Sequence, residues 1–303
     1  MFLLPPVVAN LGAADLAAAA AASSRPAECR VATPSHGLWQ AARQPELGRY
    51  CRLLARGHAL LGRSPASALL AAEQAERVLA TRAAPALLAG RALWALGRPK
   101  DAHDRFLVAR SRAPGSLETP EVLHAFAASS LRAGQGEHAH SAYRSLVPRV
   151  GLLSDRVARQ RAYLEASLVL MHEGAIGEAV GALTEARRRE VVPGLSELVA
   201  GALALALDRQ GRREEARGVA AEAGAPSWLL ALAEQPNARA DVTAALVEGE
   251  LWAIAAMVAT FVEGDSAREA WRRYLDSPAV KNVALRKHAE ERLRLLSQPA
   301  RRR

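Results

Sequence analysis

Ala84–Pro114 reads APALLAGRALWALGRPKDAHDRFLVARSRAP, two Ala- and Leu-rich runs joined through Leu96-Gly97-Arg98. Its marked positions are Gly90, Gly97, Ala102, Phe106, Ala109 and Pro114, spaced small–x6–Gly–x4–Ala–x3–aromatic–x2–Ala–x4–Pro. Each has a physical job in a pair of antiparallel helices. Gly90 lets the first helix approach the second closely, and Gly97 frees the backbone to turn between them. A larger residue at Gly97 is expected to crowd the turn and the adjoining helix. Ala102 keeps the crossing tight, Phe106 fills the layer below, and Pro114 ends the second helix.

The Gly–x4–Ala step recurs. Gly134, Ala139, Tyr143 and Leu146 repeat the pattern 37 residues on, followed by Gly174, Ala179, Leu183 and Ala186, then by Gly211, Ala216, Ala220 and Ala223. Upstream, Ala68, Ala72 and Ala75 precede Ala102, Phe106 and Ala109 by 34 residues. The residues beyond a 34-residue period fall near Pro120, Pro148, Pro193 and Gly194, where helices break. Insertions between units with constant spacing inside them suit stacked supersecondary units. The chain over about residues 45–225 therefore resembles the tetratricopeptide repeat (TPR) family, a helix–turn–helix of about 34 residues. The expected fold is all-α, a TPR-like solenoid of about five to six helix–turn–helix repeats with a helical C-terminal cap.

Three regions follow. Residues 1–44 form a low-complexity leader and linker, 45–225 the repeats, and 226–303 a helical extension. In that extension a helix is expected from about Asp241 to Phe261 and a last one from about Ala279 to Leu296. Gly264, Ala270 and Tyr274 nearly repeat the Gly–Ala–aromatic order as a degenerate sixth unit. The last helix alternates charged residues with Val283, Leu285, Ala289, Leu293 and Leu296, as a terminal cap would. The leader resembles a signal peptide in its apolar start and in Ala20-Ala21-Ala22 before Ser23, though no basic residue precedes Arg25 and Asp15 interrupts the run. Export to the periplasm is favoured over the cytoplasm. No later stretch holds 18 apolar residues without charge, so no spanning helix is expected after the leader.

Half of the 303 residues are apolar, mostly Ala and Leu, with two Ile and 4% aromatics. That composition favours helix over sheet. Only three of 40 basic residues are Lys, a bias that fits a GC-rich bacterial genome as readily as a need for guanidinium chemistry. The formal charge of +9 is uneven, because Asp265–Arg303 holds 11 basic and 5 acidic residues. A near-neutral body argues against a nucleic-acid-binding solenoid, which would spread basic residues along its face.

Cys29 and Cys51 are the only cysteines. In an exported protein they read as one disulfide, and in the cytosol as two unrelated small core residues. No CxxC, HExxH, GxSxG, phosphate-binding loop or dinucleotide-binding glycine fingerprint occurs. His138 and His140, two apart in a helix, point to different faces and cannot share a metal. No cofactor, metal or enzymatic activity is expected.

What remains is a surface. The TPR resemblance implies a concave groove lined by the first helix of each pair. Its groove positions here are Leu87, Arg91 and Trp94, then His124, Ala128 and Leu131, then Leu164, Leu168 and Met171, then Leu205 and Asp208. Arg91, Trp94, His124, Leu131, Met171 and Asp208 are the candidate partner-binding residues, while Leu164, Leu168 and Leu205 serve equally well as packing. The Lys and Asn set with which some TPR domains hold a C-terminal carboxylate is absent. The expected function is a non-catalytic scaffold that binds a protein or peptide segment. The alternative is a regulatory module that meets nucleic acid or an anionic surface through its Arg-rich C-terminus.

Overall fold

Repetition of one local closure builds the structure, a computed structural model that describes residues 29, 45–189, 191–235, 250–262, 264–277 and 283–298. Fourteen α-helices lie among the described residues, with no strand. In chain order they are α1 (Pro45–Leu60), α2 (Pro65–Val78), α3 (Ala83–Ala95), α4 (Pro99–Arg112), α5 (Pro120–Arg132), α6 (Gly136–Leu146) and α7 (Arg156–His172). They continue with α8 (Ile176–Arg189), α9 (Leu195–Arg209), α10 (Arg213–Glu222), α11 (Pro226–Glu234), α12 (Glu250–Val262), α13 (Gly264–Asp276) and α14 (Val283–Ser297). Two 3₁₀ turns, Pro114–Leu117 and Val147–Leu152, occupy inter-repeat positions where the sequence exceeds the 34-residue period. The fold is all-α and TPR-like.

Four of the turns inside the pairs close identically. Gly97, Gly134, Gly174 and Gly211 have φ of +70°, +75°, +82° and +80°. Each glycine N–H donates to the carbonyl three residues back, and the next N–H reaches the carbonyl five back, as in Arg98 to Leu93 at 2.9 Å and Arg212 to Leu207 at 3.0 Å. This pair of bonds satisfies carbonyls that a helix end leaves open. A β-carbon at Gly97 would meet nothing within 4 Å, so the glycine is required by its φ, in line with its reading as a turn residue, and the expected crowding is not there. At Gly90 space decides instead: a β-carbon there would stand 2.9 Å from the Phe106 ring.

Proline at the first turn starts α2, α4, α5 and α11, where its missing N–H costs nothing. The Asp155 carboxylate caps α7 by accepting from the Val157 and Ala158 N–H groups. At the head of α9, Glu197 accepts from the Gly194 N–H at 2.7 Å. Burial follows the repeat register. Ala68, Ala102, Ala139, Ala179 and Ala216 are fully buried, as are Phe106, Tyr143 and Leu183 one turn on.

The chain divides into two compact units, residues 1–116 and 117–303. In the first, α1/α2 and α3/α4 are two pairs, and α1 also touches α3. Cys29 is bonded to Cys51 on α1, with 5.6 Å between the Cα atoms, and is buried with Tyr50, Leu54 and Leu88. The rest of residues 1–44, including the leader read as an export signal, lies outside the described residues. Arg105 and Arg112 of α4 both hold Glu76 of α2, the latter at 2.6 Å. Burial alone would raise the Glu76 pKa, but these hydrogen bonds outweigh it and hold it below its ordinary value.

In the second unit α5/α6, α7/α8 and α9/α10 are pairs, and α12/α13 stacks as a further one. The first helices of successive pairs touch in a ladder, α7 to α9 and α9 to α12. Helix α11 packs on α12 as an inserted element. Ala270 and Tyr274 of the degenerate unit are buried beside Trp271. Second helices are laced by exposed ion pairs, Arg144–Glu178 at 2.5 Å and Arg187–Glu222 at 2.6 Å, contacts of small energy. Helix α12 is described from Glu250, so the expected start near Asp241 lies outside the described residues, as does Ala279 before α14.

Candidate functional site

Each sequence-derived surface residue has its own environment. In the first unit Arg91 and Trp94 on α3 are both half-buried. Arg91 stands close enough to His58 of α1 to matter electrostatically. Burial and then the Arg91 charge lower the His58 pKa from 6.5 to about 4, so this imidazole is neutral near pH 7.

In the second unit, His124 and Leu131 of α5 are half-buried, while Met171 and Asp208 are buried. His124 is engaged by its own chain: its Nε2 lies 2.7 Å from Oε2 of Glu165 on α7. Tyr143 of α6 donates to the same oxygen at 2.8 Å, so one buried carboxylate ties three helices together. Burial first, then the Glu165 charge, pushes the Tyr143 pKa well above 10. Glu165 was missed in the sequence reading. Its signal was a lone acid inside the apolar run AYLEASLVLM of α7.

Two more carboxylates repeat that arrangement. Glu250 of α12 is buried, with Oε1 3.0 Å from His172 Nε2 at the end of α7. Burial first, offset by Arg209 and reinforced by Glu250, pushes Tyr274 up to about 12. Asp208, placed in the groove by the resemblance, has a fully buried side chain. His288 Nε2 lies 3.0 Å from its Oδ2, and Arg292 donates to its Oδ1. Both partners belong to α14, so Asp208 faces a helix of this same chain.

Met171 is also covered. With Leu168, His172, Leu205, Arg209, Glu250, Ala253 and Leu285 of α14 it lines a cavity of about 10 Å³, room for one water at most. Leu164, Leu168 and Leu205 are buried. The first-helix faces of α7, α9 and α12 thus carry apolar side chains and buried acids; α14 packs on α13 and reaches these faces through Leu285, His288 and Arg292.

Among the described residues no group of three or more His, Cys, Asp or Glu could hold a metal. No described helix is long and apolar enough to cross a membrane.

No family model matches the chain, and no curated protein matches its sequence. Among solved structures, the complex of Naa15 and Naa10 bound to HypK-THB aligns at a TM-score of 0.37 with 12% identity, covering 85% of this chain and 35% of that one. The TPR domain of P58(IPK) aligns at 0.36 with 14% identity, covering 89% and 72%. The chain spans about a third of the length of the first. The fold rests on the closures and stacking described above.

Proposed function

We propose that this chain is a non-catalytic scaffold whose first-helix faces bind protein segments. The observation that carries the reading is a contrast inside the repeat. The packing places hold the same residue, Ala102, Ala139, Ala179 and Ala216, all buried. The place three residues before each turn glycine instead holds Trp94, Leu131, Met171 and Asp208. At Met171 and Asp208 the change meets α14 of the same chain, so the variety at Trp94 and Leu131 is what bears on a partner. Trp94 and Leu131 keep exposed surface and, with Arg91 and His124, are the candidate contacts. Trp and Arg combine large contact area with directed polar groups and concentrate binding energy.

The Arg-rich terminus favours protein over nucleic acid. Arg292 and His288 are turned onto Asp208, and Arg286 pairs with Glu290 at 3.1 Å, so much of the helix's charge is spent within the chain. The test is site-specific photo-crosslinking in the native host. A crosslinking side chain at Trp94 or Leu131 should capture a discrete protein segment, and one at Ser141 or Arg187 on the second helices should not. Trp94→Ala and Arg91→Glu should then weaken that partner with the fold intact. Equal capture from all four positions, or a captured partner indifferent to both substitutions, removes the reading.

A further inference from the structure

We infer that the α7/α9/α12 face of the second unit is a receptor for a basic amphipathic helix of a partner protein, and that α14 is its resident intramolecular occupant. The inference rests on the scaffold reading and names the chemistry of one partner class.

The receptor is built on three levels. Its floor is apolar: Leu168 and Met171 of α7, Leu205 of α9 and Ala253 of α12 line one small cavity together with Leu285 of α14, which is buried. Beside that floor stands Asp208, a carboxylate with no solvent exposure. A buried acid is tolerable only when its charge is answered, and the answering cation is supplied from outside the repeats by Arg292, with His288 Nε2 3.0 Å from the other carboxylate oxygen. The second carboxylate of the face, Glu250, lies at the rim of the Leu285 pocket opposite His172.

The ligand side is as clear. Leu285, His288, Ala289 and Arg292 fall at i, i+3, i+4 and i+7 of α14, one stripe of a helix, and Leu285 and Ala289 are buried. Arg286, Lys287, Glu290, Glu291 and Arg294 lie outside that stripe and are exposed. Trp271 flanks the stripe, its ring 6.1 Å from that of His288. The acid at Asp208 stands where the other units carry Trp94, Leu131 and Met171, so the repeat itself does not demand a charge there. Its fit is to a cation. A partner helix presenting an apolar residue and a cation seven residues on meets the same floor and the same carboxylate, and competes with α14 for them.

The experiment uses the full chain and a fluorescent synthetic peptide of residues 283–298, VALRKHAEERLRLLSQ, as the probe. Fluorescence anisotropy should show the peptide binding the wild-type chain weakly, because α14 competes in cis. A peptide carrying Arg292→Glu should bind at least tenfold more weakly than the parent. In the full chain, H288A/R292A loosens the resident helix and should tighten parent-peptide binding at least tenfold, and adding Asp208→Asn should reverse the gain. Should H288A/R292A fail to fold, the two peptides on the wild-type chain still decide. Equal binding of the two peptides, or no binding of the parent, overturns the proposal. Concentration-dependent dimers of the wild type that Asp208→Asn abolishes would assign the face to a second copy, and overturn the partner assignment. Crosslinks from Trp94 and Leu131 do not depend on this face, so failure here leaves the scaffold reading standing.

Discussion

Trp94 and Asp208 hold the same place in two repeats, one in each compact unit. Their backbones are interchangeable: each carbonyl accepts the N–H of the turn glycine, from Gly97 at 3.0 Å and from Gly211 at 2.9 Å. Their side chains share nothing. Trp94 is half-buried beside a face where burial, helped by the Arg91 charge, keeps His58 neutral, while Asp208 is sealed beneath His288 and Arg292. The repeat fixes where a side chain stands, and the neighbour laid over it fixes what the side chain does. The first unit thus presents a cation on its first helices, and the second a set of carboxylates faced by histidines and, at Asp208, paired with an arginine.

The largest expected effect tests the sealed end of that comparison. Arg292→Ala leaves the Asp208 charge without its guanidinium partner, and breaking a buried pair costs about 3–5 kcal/mol. Urea denaturation should show a loss near the lower figure, since His288 still faces the carboxylate. A loss under about 1 kcal/mol, the scale of an exposed ion pair, would mean that Asp208 is not buried by α14 in solution.

In the first unit the equivalent test is pH. The folded-state pKa of His58 is about 4, below its ordinary 6.5, so on acidification the unfolded chain takes the proton first. Stability from this group is fully present above pH 6.5, falls between pH 6.5 and 4, and changes no further below that. The span corresponds to about 3 kcal/mol. His58→Gln should flatten the pH dependence across that window. Arg91→Ala should raise the His58 pKa, read by NMR titration, and an unmoved titration would place Arg91 too far away to shape this face.

How much of this was legible follows from the distances involved. Gly97 and Ala102 are five residues apart, and every feature of the turn is local, so spacing alone carried the helix pairs. Asp208 and Arg292 are 84 residues apart, and His172 and Glu250 are 78 apart. No periodicity relates such positions, and the groove register therefore placed Asp208 and Met171 on an open surface. The usable hint was chemical: Glu165 in AYLEASLVLM and Asp208 in LALALDR are lone acids in apolar runs, and such acids need partners. The Phe106–Gly90 contact was readable for the opposite reason, since a large and a small residue in one pair suggest each other.

The two units also fasten their ends by different chemistry, ionic at α14 and covalent at α1. Joining Cys29 to Cys51 closes a 22-residue separation, which stabilises by about 3 kcal/mol if the effect is loop entropy in the unfolded chain. Protein purified from its native source should show no free thiol on titration under denaturing conditions, and reduction should lower the melting temperature. Two reactive thiols would mean that the pair is reduced in the cell and that the first unit has no covalent fastening there.

The smallest effect bears on the claim that the backbones are interchangeable. Gly97→Ala and Gly211→Ala each place a β-carbon where nothing lies within 4 Å, so neither can act through packing. What each must bear is a left-handed φ, +70° at Gly97 and +80° at Gly211, which costs a non-glycine residue about 1 kcal/mol. A small part is returned because alanine has less freedom to lose from the unfolded state. Both substitutions should therefore destabilise by the same amount, about 1 kcal/mol, even though one turn follows Trp94 and the other follows Asp208. Gly90→Ala is the control with a different cause, since its β-carbon meets the Phe106 ring and its cost depends on how far that ring can yield. Equal losses at Gly97 and Gly211, measured by urea denaturation, would show that α14 covers the second unit's face without altering the turn beneath it. A clearly larger loss at Gly211 would show that the sealed carboxylate and its turn are held as one piece, and that the two repeats differ in backbone as well as in surface.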